Sequence, residues 1–216
     1  DPALANELAN QHALKVFKLS AVPGDAVLMR EQKIVAYVDS GGQDLLRRFG
    51  FEFDSISWRD LNDGLDLTAY DVFINNGIYH GYWRLNDTGR DALFAFFYAG
   101  RDYIGLGEYG AYLADEMELM EFSVDFPPGN SIVQVDYDTE SALTTGFKGQ
   151  GYVFINYAAL FYDLGEDVEM FASIVDREDF LLSGLWPGWQ TSGAAGTPVG
   201  IFQAEETQDT TLIGFD

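Results

Sequence analysis

The stretch Arg101 to Glu116, "RDYIGLGEYGAYLADE", decides how the rest of the sequence is read. Its first part, "YIGLG" (103–107), is a short apolar run ending in glycine, the pattern of a buried strand. Its second part, "EYGAYLADEMELME" (108–121), has the composition of a helix. Three glycines, Gly105, Gly107 and Gly110, crowd the junction. A strand that turns sharply into a helix through glycines is the geometry that displays a nucleophile in many α/β hydrolytic enzymes, usually Ser or Cys. Here the matching position reads as Glu108.

Upstream, the same rhythm repeats. "KIVAYVDSGG" (33–42) is a β-branched apolar run closed by Gly-Gly, and predicts a strand and its turn. "QDLLRRFGF" predicts a short helix ended by Gly50, and "FEFDSISW" (51–58) alternates as a strand. "RDLNDGLDLTAY" reads as a polar loop. "YDVFINNG" (70–77) predicts another buried strand, and a helix runs from near Asn86/Asp87 to Gly100. Strand and helix alternate with short connections, which predicts an α/β fold with a doubly wound, mostly parallel, flavodoxin-like sheet. Beyond residue 120 the pattern changes to short β-like runs parted by Gly, Pro and Asp, so the C-terminal half is expected to add β-hairpins.

Residues 1–32 read as a helical lead-in and linker, and 33–216 as one domain. The sequence ends directly after an apolar strand. Doubly wound folds usually cover such a strand with a further helix, so the C-terminus reads as truncated. The start, Asp1-Pro2 without Met, reads as a mature or excised piece.

Composition excludes several classes of function. There are 35 acidic residues against 12 basic ones, a formal net charge of −23. That field repels DNA, RNA and anionic lipid surfaces, so nucleic acid is not an expected partner. The acid excess is spread along the chain as a solvated surface. Such a balance resembles proteins from salty surroundings, and equally an ordinary acidic periplasmic or secreted domain. No apolar run approaches the ~20 residues of a membrane span. There is no cysteine, which removes disulfides, thiolate catalysis and Cys-ligated zinc. Two histidines, His12 and His80, remain; a mononuclear metal site of the His₂-Glu kind would need both to meet, although they lie far apart in the sequence.

The block order described above, with "YDVFINNG" and "GLGEYGAYLA", resembles the class I glutamine amidotransferase-like superfamily. That family displays a Cys on the elbow, with a His and a Glu downstream. Three further blocks, "HALKVFKLSAVPGDAVLM", "LLRRFGFEFDSISWRDLNDGLDLTAYDVFI" and "FLLSGLWPGW...GTPVGIFQAEETQDTTLIGFD", resemble the amidotransferase-like domain that follows the catalytic domain in some bacterial M14 zinc carboxypeptidases. The resemblance covers roughly residues 13–216 and contains no catalytic signature. The nucleophile position falls on Glu108, and no His follows His80. The resemblance therefore implies a non-catalytic accessory domain, periplasmic or extracellular, that needs no cofactor. Its partner would be an upstream catalytic domain in cis. The alternative is a cysteine-less ThuA-like hydrolase, or a sugar- or small-molecule-binding domain, using a cleft of Glu108, His80 and Asn75.

Each candidate residue has a chemical reason. A carboxylate at Glu108 sits at a helix N-terminus, where free N–H groups and the helix dipole favour its charge. It can cap the helix, contact a ligand or cation, or act as a carboxylate nucleophile. Asn75 and Asn76 end a core strand at the edge where open α/β sheets bind ligands, and their amides suit an oxyanion. His80 suits a general base. Asp39, Ser40, Gly41 and Gly42 form a turn before a helix that can cradle an anion, without the spacing of a phosphate-binding loop. Gly107 and Tyr109 flank the elbow carboxylate. Asp60, Asn62, Asp63 and Asp66 gather oxygen atoms as calcium requires, in a loop that lacks the EF-hand spacing. Trp186 and Trp189 bracket Pro187-Gly188 and suit stacking on a sugar or a partner.

Overall fold

The computed structural model describes residues 32–76, 82–127, 129–156, 158–204 and 208–215, with the side chain of Tyr82 excluded. The lead-in, with His12, and the loop segment holding Gly77 and His80 lie outside these residues.

The apolar runs form the strands the sequence implies. In chain order the strands are β1 (Ile34–Tyr37), β2 (Phe53–Ser55), β3 (Val72–Asn75), β4 (Asp102–Leu106), β5 (Ser123–Asp125), β6 (Asn130–Tyr137), β7 (Gln150–Asn156), β8 (Leu160–Tyr162), β9 (Glu169–Ile174), β10 (Leu181–Leu185), β11 (Pro198–Ala204) and β12 (Asp209–Ile213). The helices are α1 (Ser40–Arg48), α2 (Trp58–Asn62), α3 (Asp87–Tyr98) and α4 (Gly107–Glu116). The main sheet runs β10–β6–β9–β11–β12–β4–β3–β1–β2, and β7 pairs with β6. The half from β12 to β2 is parallel. The half from β11 outward is antiparallel. β5 and β8 form a separate antiparallel pair.

Parallel strands are buried on both faces, so their side chains feed two cores. On one face Val35, Tyr37, Phe73 and Tyr103 pack with Leu61 of α2, Leu93, Phe96 and Phe97 of α3, and Ala111, Leu113 and Ala114 of α4. On the other, Ala36, Val38, Val72 and Ile74 pack with Leu46 of α1. Helices thus cover both faces, as right-handed crossovers in opposite directions demand. Aromatic edges lock the first core: Phe97 meets Phe96 at 5.3 Å and Tyr103 at 5.5 Å, both near perpendicular. Among the described residues no helix is long and apolar enough to cross a membrane.

Helix ends follow local chemistry. Asp39 accepts the Gly42 N–H at 2.7 Å and starts α1, drawing Gly41 and Gly42 into the helix and not into a loop. The other end of α1 closes at Gly50, φ +83°, where the Phe51 N–H reaches the Leu46 carbonyl. α4 ends the same way, but Glu118 occupies the left-handed position, φ 52°. Glu118→Gly is expected to stabilise the protein by about 1 kcal/mol, because a side chain there strains the backbone. A urea midpoint unchanged by that substitution contradicts the strain.

The stretch expected to be a polar loop contains α2 and a 3₁₀ turn at Leu67–Ala69. The start signal is Ser57 with Asp60 three residues on. The Asp60 carboxylate accepts both the Ser57 N–H and hydroxyl at 2.7 Å. The Ser57 hydroxyl first, and its N–H second, hold the Asp60 carboxyl below the usual carboxylate range. A depressed folded value means stability present above the unfolded pKa and lost as pH falls through the folded one. Asp60→Asn is therefore expected to cost roughly 0.5–1 kcal/mol at pH 7. The gap from wild type should close below about pH 4. A gap that persists at pH 2 contradicts this role. β8 also went unanticipated: three residues, Leu160–Tyr162, are too few to show a period.

Candidate functional site

The strand order reverses between β1 and β3: the chain leaves β1 for β2 on one side and returns to β3 on the other. Ligands of open α/β sheets bind outside the carboxyl ends of strands at such a point. The candidate residues of β1, β3 and β4 gather along this edge.

The elbow is present, and its left-handed residue is Gly107, φ 61°. A sharp strand-to-helix turn concentrates its strain on the residue that displays a nucleophile. The sequence assigned that role to Glu108. The structure shifts it by one residue to a glycine, which has no side chain to display. Glu108 is half-buried in the first turn of α4. The glycines are explained by contact. A Cβ on Gly110 would lie 2.5 Å from the Gly105 carbonyl carbon and 3.0 Å from the Asn75 oxygen. Only glycines let α4 approach β3 and β4 so closely.

Asn75 is 3% exposed. Its Nδ2 donates to the Tyr103 hydroxyl at 3.1 Å and to the Tyr109 carbonyl at 3.4 Å. The Tyr103 hydroxyl in turn donates to the Gly110 carbonyl at 2.8 Å. Burial pushes that hydroxyl far above the ordinary tyrosine range, so it stays protonated. An amide nitrogen has two N–H donors. Both are spent on holding the elbow, which corrects the oxyanion reading of Asn75. Asn76 accepts the Asp39 N–H at 3.1 Å and ties the ends of β1 and β3 together.

The anion cradle at Asp39, Ser40, Gly41 and Gly42 is also corrected. The Asp39 carboxylate already occupies the Gly42 N–H, and its charge opposes an incoming anion. A Cβ on Gly42 would come 2.9 Å from Asn76 Nδ2, so this glycine serves packing.

The acidic loop is spent on local bonds. Asp60 binds Ser57, and Asp66 accepts the Thr68 N–H and hydroxyl. Asn62 donates to the Arg84 carbonyl at 2.9 Å and accepts the Asn86 N–H at 2.8 Å. Asp63 ends α2 in solvent. Among the described residues no three His, Cys, Asp or Glu side chains gather as metal ligands.

Trp186 is 4% exposed and packs edge-on to Phe180 at 5.5 Å. It belongs to the core of the antiparallel half, which corrects its reading as a stacking surface. Trp189 is half-buried against the same Phe180. His80 lies outside the described residues, so its distance to Glu108 does not enter.

One cluster escaped the sequence reading. Arg59 stands over the Trp58 ring at 4.6 Å and Arg84 at 5.7 Å. Trp58 and Arg59 open α2 and Arg84 comes from a distant segment, which the Asn62 side chain helps tie to α2. The available signal was the rarity of positive charge in so acidic a chain.

No protein-family model matches the sequence, and no curated protein does. Solved structures do match. A glutamine amidotransferase from Thermotoga maritima has a TM-score of 0.54 at 13% identity, covering 87% of this chain and 76% of that one. A putative ThuA-like protein from Bacteroides uniformis has a TM-score of 0.51 at 12% identity, covering 89% and 86%. A carbohydrate deacetylase has a TM-score of 0.50 at 11% identity, and there 85% of this chain covers only 29% of the other. The fold is the one shared by glutamine amidotransferase-like and ThuA-like proteins.

Proposed function

We propose that this chain is a non-catalytic accessory domain of a larger hydrolase, exported to the periplasm or the medium. In this reading its partner is a catalytic domain on the same polypeptide, a zinc carboxypeptidase of the M14 type. The observation that carries it is the elbow: its strained position is Gly107, and the chain has no cysteine to place there. The carbohydrate deacetylase lends support, since a domain of this fold makes up a minor share of that longer chain. The carboxypeptidase assignment rests on the sequence blocks alone. The alternative, a cysteine-less ThuA-like hydrolase or a sugar- or small-molecule-binding domain using a cleft of Glu108, His80 and Asn75, is supported by the likeness to ThuA-like structures. In it Asn75 would act while also donating to Tyr103 and Tyr109.

An antibody raised against the 216-residue protein tests this reading on the native polypeptide. It is expected to capture a species well above 24.0 kDa that releases C-terminal amino acids and loses that activity to a zinc chelator. A captured species of 24 kDa with no peptidase activity overturns the reading.

A further inference from the structure

The carboxyl edge carries a second feature, separate from the elbow. Tyr37 is the last residue of β1, Trp58 follows the end of β2, and Arg84 lies in the turn between β3 and α3. All three therefore stand at the edge where the strand order reverses. We propose that this crevice binds a small oxyanion, a carboxylate or phosphate group, held by Arg59, Arg84 and the Tyr37 hydroxyl around the Trp58 ring.

Two guanidiniums share one indole, at 4.6 and 5.7 Å from it. Like charges around one ring repel each other, and the ring's cation–π attraction offsets only part of that. Among the described residues the ion pairs are Asp44–Arg47, Asp71–Arg101 and Asp179–Arg177, so neither Arg59 nor Arg84 has one. In a chain so rich in carboxylates, no acid among the described residues forms an ion pair with either cation, and both lie against an aromatic ring. The nearest acid in sequence, Asp60, spends its hydrogen bonds on Ser57 and meets Arg59 through charge alone.

The Tyr37 hydroxyl is a second, independent observation. The residue is 6% exposed, and its oxygen is buried without a hydrogen-bond partner. Buried hydroxyls are normally bonded, and an orphan calls for an explanation. Burial raises its pKa and the Arg84 charge opposes that rise, so the guanidinium lies within electrostatic reach of the hydroxyl.

The platform is fixed before any ligand arrives. Asn62 holds the Arg84 carbonyl and the Asn86 N–H. Gly89 makes room, since a Cβ there would sit 2.7 Å from Asn62 Oδ1. Guanidiniums are donors only, in a planar fork that matches carboxylate and phosphate. With a phenol beside them the set selects an oxyanion over a cation. The site does not depend on the elbow being inert.

The test uses the 216-residue protein with sodium phosphate, sodium acetate and sodium chloride at matched ionic strength. The Arg59 and Arg84 Nε–Hε signals are followed by NMR, and thermal melting is followed alongside. Phosphate, acetate or both are expected to shift these two signals saturably. The melting midpoint is expected to rise by about 3–6 °C at ten times the dissociation constant. A response to phosphate alone assigns a phosphoryl group, and a response to acetate assigns a carboxylate. Arg59→Gln with Arg84→Gln should weaken binding at least tenfold. Tyr37→Phe should weaken it several-fold while the ligand-free midpoint stays equal or rises, because no described group bonds that hydroxyl. The wild-type NMR titration needs no variant to fold. No saturable shift with either anion overturns the proposal, as does an equal affinity in the double variant.

Discussion

Gly110→Ala is expected to cost about 3 kcal/mol or more, and to lower the melting midpoint by roughly 6–12 °C. The added methyl would stand 2.5 Å from the Gly105 carbonyl carbon and 2.7 Å from its Cα. Both are backbone atoms of a central strand, so no rotamer change relieves the overlap. α4 must move off the sheet instead. That movement also stretches the Tyr103–Gly110 and Asn75–Tyr109 bonds, now 2.8 and 3.4 Å. Urea denaturation of the variant measures the loss. A midpoint within error of wild type contradicts the close crossing, and with it the packing explanation of the elbow glycines.

Tyr103→Phe and Asn75→Ala are each expected to cost about 2–3 kcal/mol, because each removes hydrogen bonds from the network of the buried Asn75 and Tyr103 side chains. The phenol removal takes that hydroxyl from the Gly110 carbonyl and from an Asn75 N–H. The amide removal leaves the Tyr109 carbonyl without that donor. Because the two side chains bond each other, the double variant should cost less than the two losses added, by about 1 kcal/mol. Strict additivity contradicts the network. A near-neutral Asn75→Ala returns the amide to the groups poised for a ligand.

The parallel half of the fold is written in the sequence because its strands are buried on both faces. "IVAY" and "VFIN" are nearly continuous apolar runs of strand length, the pattern of strands covered on both faces. Gly50 and Gly100 mark helix ends because a left-handed residue is needed there. α2 is a single turn, too short for periodicity, and only the Ser57–Asp60 pair announces it. In "WPGW" no pattern tells a buried tryptophan from an exposed one, and Phe180, which settles Trp186, lies at the opposite end of β10.

The elbow was legible as a shape. Its tip was not, since sequence does not show which of Gly107 and Glu108 takes the positive φ. The Trp58, Arg59 and Arg84 cluster was invisible because its members come from two segments joined by one side chain, Asn62.

The central claim is that the turn between β4 and α4 displays no reacting group. Turnover of a panel of amide, ester and glycoside substrates by the purified 216-residue chain tests it most directly. The expected result is hydrolysis indistinguishable from buffer, for wild type and Glu108→Gln alike. Measurable wild-type turnover that vanishes in Glu108→Gln contradicts the account.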